Sequence, residues 1–296
     1  MPSLRLHTRP EDGTLRQRLI ERIADGKLAL PVLPGSSARV LASCQEPTSN
    51  AEELADLIRN DPALTGHVLR VANSAAYAPR EPIVDLKIAI SRLGLAAFSG
   101  IVVGMAVREK MFRMRGFEAR LRGLWRHSST TGAWAMEIAQ VKGVHGETSF
   151  LAGLLHDVGK AVVLQALGEL ARSRAEKLDA DLCEELMVEF HTSVGATLLQ
   201  AWSLSPLVVD AVLHHHDLPL TDPDGVPMKG SLAPTVALAD LLAHWSLELG
   251  PSQRGGLMAA PLGIAGSMTA AGLDPQRDLA PLLARADHVI AVSATF

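Results

Sequence analysis

Hydrophobic positions along this chain recur at intervals of three and four residues, and no convincing run of two-residue alternation interrupts them. The pattern predicts an all-α protein. Ser49 and Glu52 form a capping-box pair ahead of Leu54, Leu57 and Ile58, which share one helix face, and the run stops at Asn60, Asp61 and Pro62. Asp61 then caps a second helix with Pro62 in its first turn, where the missing N–H costs nothing, and Leu64, Val68, Val71 and Ala72 follow at helical spacing. Further helices are expected over Pro82–Leu93, Leu95–Met111, Phe117–Val141, Thr148–Leu167, Cys183–Trp202 and Ser205–His216. The most loop-like stretch, Asp217–Pro234, holds Pro219, Pro223, Gly225, Pro227 and Gly230. These signals divide the chain into a helical lead-in over residues 1–26, a body over 27–245 and a helical C-terminal extension over 246–296. Within the body, a front half (27–115) and a site-bearing half (116–245) are expected to share one core.

Composition narrows the function classes. An apolar content of 48% in 296 residues marks a compact globular chain. With 28 basic against 32 acidic residues and no long run of one sign, binding to nucleic acid by phosphate neutralisation is not expected. Cys44 and Cys183 lie far apart without CxxC spacing, which supports neither a disulfide framework nor a thiolate zinc site and fits a reducing cytoplasm. Met1–Arg9 has no apolar stretch of the secretory kind. Leu93–Val107 is uncharged but falls short of the ~20 residues that span a bilayer, so it reads as a buried helix. Gly255–Leu273 carries five glycines and Pro261 and reads as loop and short helix. No membrane span is expected.

Chemistry is suggested by histidines and aspartates in a particular order: His127, the pair His156 and Asp157, His191, the pair His215 and His216, and Asp240. Imidazole with carboxylate suits borderline divalent metals such as Fe, Mn, Zn or Ni, and a helical bundle can gather such ligands from several helices. The most specific element is Gly153-Leu-Leu-His156-Asp157-Val-Gly159-Lys160. Neighbouring residues differ by about 100° around a helix axis, so His156 and Asp157 reach one centre only if the helix breaks, and Gly159 is the expected break. Lys160 stands ready to neutralise a phosphate oxygen. His191 reads as lying near a helix start. The run His214-His215-His216 leaves the register open by one residue, and Asp240 sits in a weak motif. Outside this series, His67, His145 and His244 read as solvated or boundary residues, and Trp134, Trp202 and Trp245 as core or interface anchors.

Leu30–Pro34, Glu52–Tyr77 with its Arg-Asn-Asp-Pro-Ala-Leu and Ala-Asn-Ser, and Ile88–Leu95 resemble the front half of HDOD domains. Trp125–Ser128, Gly153–Lys160, His191–Gly195 and Ala211–Asp217 resemble that family's remaining motifs in order, over roughly residues 15–245 in all. The resemblance implies an all-α member of the HD superfamily of metal-dependent phosphohydrolases, in a branch generally regarded as bacterial signalling output. It implies His127, His156, Asp157 and Asp240 at one metal and His191, His215 and His216 at a second, with Asp157 bridging. Two departures count against cyclic di-GMP hydrolysis. Asp217 follows the histidine pair where HD-GYP relatives carry glutamate, and the Gly-Tyr-Pro element is absent. The expected function is signalling through a protein partner or a small phosphate-containing ligand. The alternative is phosphoester hydrolysis, with Asp157 and Lys160 as the catalytic residues.

Overall fold

The computed structural model describes residues 13–46, 48–74, 77, 79–111, 114–144, 146–217, 230–248, 260–261 and 263–296. Among the described residues all regular structure is helical, with no strand. The front part comprises α1 (Leu15–Ala24), α2 (Gly35–Gln45), α3 (Ala51–Ile58), α4 (Pro62–Ala72), α5 (Leu86–Leu93) and α6 (Leu95–Met111). There follow α7 (Glu118–Lys142), α8 (Gly146–Leu155), α9 (Val158–Arg172), α10 (Ala180–Ala201), α11 (Pro206–His214) and α12 (Ala233–Glu248). The chain closes with α13 (Ile264–Ala270), α14 (Pro275–Leu283) and α15 (Ala286–Ser293).

Side-chain caps set several of these boundaries. Asp61 accepts from the Leu64 N–H with Pro62 in the first turn, as its sequence context predicts. One turn earlier the expected capping box is corrected: Asn50, not Ser49, caps α3 by accepting from the amides of Glu52 and Glu53. Asparagine at that position satisfies two orphan donors, and Ser49 is left outside the helix. Asp85 accepts from the Ile88 N–H, so α5 starts at Leu86 rather than Pro82. The expected helix Thr148–Leu167 is two helices that part at His156 and Asp157, two residues before the anticipated break at Gly159.

The long helix α7 is the axis of the molecule. It packs on α8, α12 and α15, while α9 packs on α10, and α6 joins the front helices to α8. Trp134, fully buried on α7, donates through Nε1 to Ser246 of α12 at 3.1 Å. Trp245 is also buried, and the Trp202 indole donates to the Pro31 carbonyl at 2.8 Å. Thr148–Arg172 is long and apolar enough to cross a membrane, yet 89% of its most apolar window is buried inside the protein, as befits a core segment. Ile264 and Met268 bury the short α13, in keeping with loop and short helix there, although residues 255–259 and 262 lie outside the described ones. The predicted loop over 217–234 is described only at its edges, since 218–229 lie outside, and so does His145.

Candidate metal centre

Five elements converge where α8 gives way to α9. His127 comes from α7, His156 and Asp157 from the break, His191 from α10, His215 and His216 from the end of α11, and Asp240 from α12. The break answers the geometric difficulty of an adjacent His–Asp pair. Asp157 leaves the helical path at φ −102°, ψ 8°, so both side chains face the same interior point. Gly159 has a different task from the one expected. A Cβ there would lie 2.0 Å from the His191 carbonyl oxygen and 2.7 Å from the Gly195 amide nitrogen, so glycine is what lets α9 press against α10 and brings His191 to Asp157. His191 sits in the interior of α10, not near a helix start.

Asp157 lies between two groups of imidazoles. Its Oδ2 is 3.4 Å from His156 Nε2 and 4.0 Å from His127 Nε2, and its Oδ1 is 3.4 Å from His191 Nε2. Asp240 Oδ1 lies 2.8 Å from His127 Nε2 and 3.6 Å from His156 Nε2. Beyond Asp157, His191 Nε2 is 3.4 Å from His215 Nε2 and 3.2 Å from His216 Nε2. His214 turns away, 2.8 Å from Asp217 through Nδ1, which removes the register ambiguity of the triple histidine. Lys160 donates to Asp157 Oδ2 at 2.6 Å.

The protonation pattern shows what this cluster needs. His156, His191 and His215 each commit Nδ1–H to the carbonyl three residues back, those of Gly153, Val188 and Val212, at 2.8, 2.8 and 2.9 Å. In the neutral rings of His191 and His215 such bonds fix the tautomer and leave Nε2 as a bare lone pair. His191 and His215 therefore face each other with two acceptors and no proton between them. Burial lowers the His191 pKa to about 4 and the His215 pKa to about 3, so neither takes up that proton at neutral pH. Asp157 Oδ1 and Asp240 Oδ1 are buried and accept no aligned hydrogen bond, short as the His127–Asp240 approach is. Facing Nε2 lone pairs of His191 and His215 beside carboxylate oxygens that accept no aligned bond are the arrangement a cation resolves, so the residues fit a divalent metal. Burial lowers the His156 pKa, but Asp157 and Asp240 outweigh it and raise the pKa to about 10. Burial likewise works to raise the Asp157 and Asp240 pKa values, and the surrounding imidazoles, with Lys160 at Asp157, hold both below the usual carboxylate range.

Sequence reading passed over one member of the cluster. His244 was expected to be a solvated or boundary residue and is exposed, but its Nδ1 is also 3.2 Å from Asp240 Oδ1, and His127, Asp240 and His244 form a ligand-competent group on the outer side. The signal was its place four residues after Asp240 on one helix face. His67 corrects the same reading differently: it is 4% exposed, far from solvated. A cavity of about 330 Å³ opens onto the centre, lined by His127, Asp157, Lys160 and His244 together with Arg120 and Met187.

Comparison with known proteins fits this geometry. The HDOD domain model matches residues 30–218. An uncharacterized protein of Treponema pallidum (strain Nichols) is 26% identical over 231 residues, which is 75% of this chain but 44% of the relative, so the chain spans less than half of that protein. A solved structure from Shewanella amazonensis SB2B, named a "putative metal-dependent phosphohydrolase", superposes with a TM-score of 0.72 at 23% identity, covering 94% of this chain and 98% of that one. An HDOD domain protein from Geobacter sulfurreducens has a TM-score of 0.65 at 24% identity, with coverage of 94% and 97%. The two structures share the fold, and with the family match over most of its length the chain belongs to the HDOD domain family.

Proposed function

We propose that the chain is a divalent-metal-binding HD-type protein that serves as a signalling module in the bacterial cytoplasm, its output set by a protein partner or a small phosphate-containing ligand. The observation that carries the metal is the Asp157 carboxylate standing between two sets of imidazole Nε2 atoms, with Oδ1 buried and without a donor. His127, His156, Asp157 and Asp240 would hold one ion and His191, His215 and His216 a second, shared through Asp157. This donor set suits Fe, Mn, Zn or Ni. Neither nucleic acid nor a membrane is among the proposed partners. Elemental analysis of protein purified without chelator tests the reading, with one to two ions per chain expected; metal-free protein would overturn it.

A second reading, phosphoester hydrolysis, is favoured by the 330 Å³ cavity that reaches the centre. A bound metal would supply Lewis acidity toward a phosphoryl oxygen. Of the chain's own groups, Asp157 would hold the ions, and the Lys160 ammonium, on the cavity wall, would steady a phosphate oxygen and its developing charge. In-line attack also needs a wall that holds the scissile bond, and the Gly-Tyr-Pro element that follows the histidine pair in cyclic-dinucleotide hydrolases is missing. Little or no turnover of cyclic di-GMP is therefore expected. Robust turnover by metal-loaded wild type that vanishes in Asp157→Ala would promote the hydrolase reading over the signalling one.

A further inference from the structure

A cavity of about 680 Å³ lies away from the metal ligands, between α4, α6 and α7. Its floor is apolar, formed by Met105, Leu121 and Trp125, and its rim carries Arg70, Arg108 and Arg122, with Glu109 the one acidic side chain in its lining. Arg108 donates to the backbone oxygen of Phe296 at 2.6 Å and lies 5.9 Å from the centre of the Trp125 ring. Arg70 is 3.3 Å from Nδ1 of the buried His67, and neither Arg70 nor Arg122 has a carboxylate within ion-pair distance among the described residues. Guanidinium groups gathered round an apolar-floored hollow of a size that takes small ligands present several N–H donors to one anion.

We propose that this cavity is a second binding site, independent of metal, for a phosphorylated small molecule of nucleotide size. Its phosphates would meet Arg70, Arg108 and Arg122, and its apolar part would rest on Met105, Leu121 and Trp125. The site is placed to influence the metal centre, because Leu121 lines both cavities and Trp125 precedes the ligand-competent His127 by two residues on α7.

Calorimetric titration of the full chain, stripped of metal and dialysed free of chelator, tests this with pyrophosphate, ADP and adenosine at low ionic strength. Pyrophosphate and ADP should bind, ADP more tightly, and adenosine should bind at least tenfold more weakly than ADP. The Arg70→Gln/Arg122→Gln double variant replaces two exposed side chains and should weaken ADP binding at least tenfold with unchanged circular dichroism and melting temperature. Asp157→Ala should bind ADP as wild type does, which separates this site from the metal centre. No binding of pyrophosphate by wild type, wild-type affinity in the double variant, or loss of binding in Asp157→Ala would each overturn the proposal.

Discussion

At the scale of single residues, Asp157 and His127 differ in how many neighbours depend on them. Asp157 faces imidazoles on both sides, whereas His127 meets only the side shared with Asp240 and His156. Asp157→Ala should therefore lower bound metal by at least tenfold, and His127→Ala by clearly less, measured as metal content after equilibration at fixed free metal. Equal losses would mean one ion rather than two. His67 makes a prediction about acid stability. Burial, reinforced by Arg70 and Arg108, lowers its pKa from 6.5 to about 4. The unfolded chain then binds a proton that the folded one refuses, so stability present above pH 6.5 is lost as pH falls toward 4, by on the order of 3 kcal/mol at most. Urea unfolding of His67→Gln should show a flatter pH dependence in that window than wild type. Parallel curves would refute this role for His67.

At the scale of elements, the contact of α9 with α10 is the joint on which the centre depends. Gly159→Ala would force a methyl group into the His191 carbonyl, and backbone cannot yield there as a flexible side chain could. The expected cost is about 3 kcal/mol or more of stability, with weakened metal binding as α10 is pushed away. A chemical denaturation curve and a metal titration on the same variant check both parts, and an unchanged midpoint would contradict the packing argument. Elsewhere the caps matter locally. Asp61→Ala removes the acceptor for the Leu64 amide and should cost about 1 kcal/mol without altering metal content. The Asp61–Pro62 signal was readable along the chain, whereas the cap at Asp85 was passed over and the helix was expected from Pro82. At α3 the reading slipped by one residue, because Ser49 and Asn50 are both good caps and only the folded backbone selects between them.

At the scale of the whole molecule, the candidate ligands tie together α7, α10, α11, α12 and the α8–α9 break, so metal would act as a cross-link among segments far apart in sequence. Free energy of binding to such a site is also free energy of folding. Chelation of the loaded protein should lower its melting temperature by roughly 5 °C or more for ions held at a hundredfold above their Kd, and Asp157→Ala should show almost no such shift. A stoichiometrically loaded protein whose melting temperature ignores chelator would show that the ions sit outside the fold. The front helices are joined to this assembly through α6 against α8, where Gly100 leaves room for the Phe150 ring. A disturbance in either half thus reaches the other through packed core.

The sequence by itself determined the all-helical class, because hydrophobic spacing and caps act within a few residues, and it singled out the histidines and aspartates through their resemblance to HDOD motifs. It also read Trp134, Trp202 and Trp245 as core or interface anchors, and Trp134 and Trp245 are buried while Trp202 is half-buried. What lies together across long separations had to come from the tertiary structure. The break at His156 and Asp157 depends on the match between α8, α9 and their neighbours, and Gly159 is required by the backbone of α10, which no local pattern contains. The orientation of His214 away from the cluster, the burial of His67 and the approach of His244 to Asp240 follow from which helix faces inward, a property of packing. The hollow among Arg70, Arg108, Arg122 and Trp125 is likewise invisible in one dimension, since its walls and the charges that meet there come from three helices.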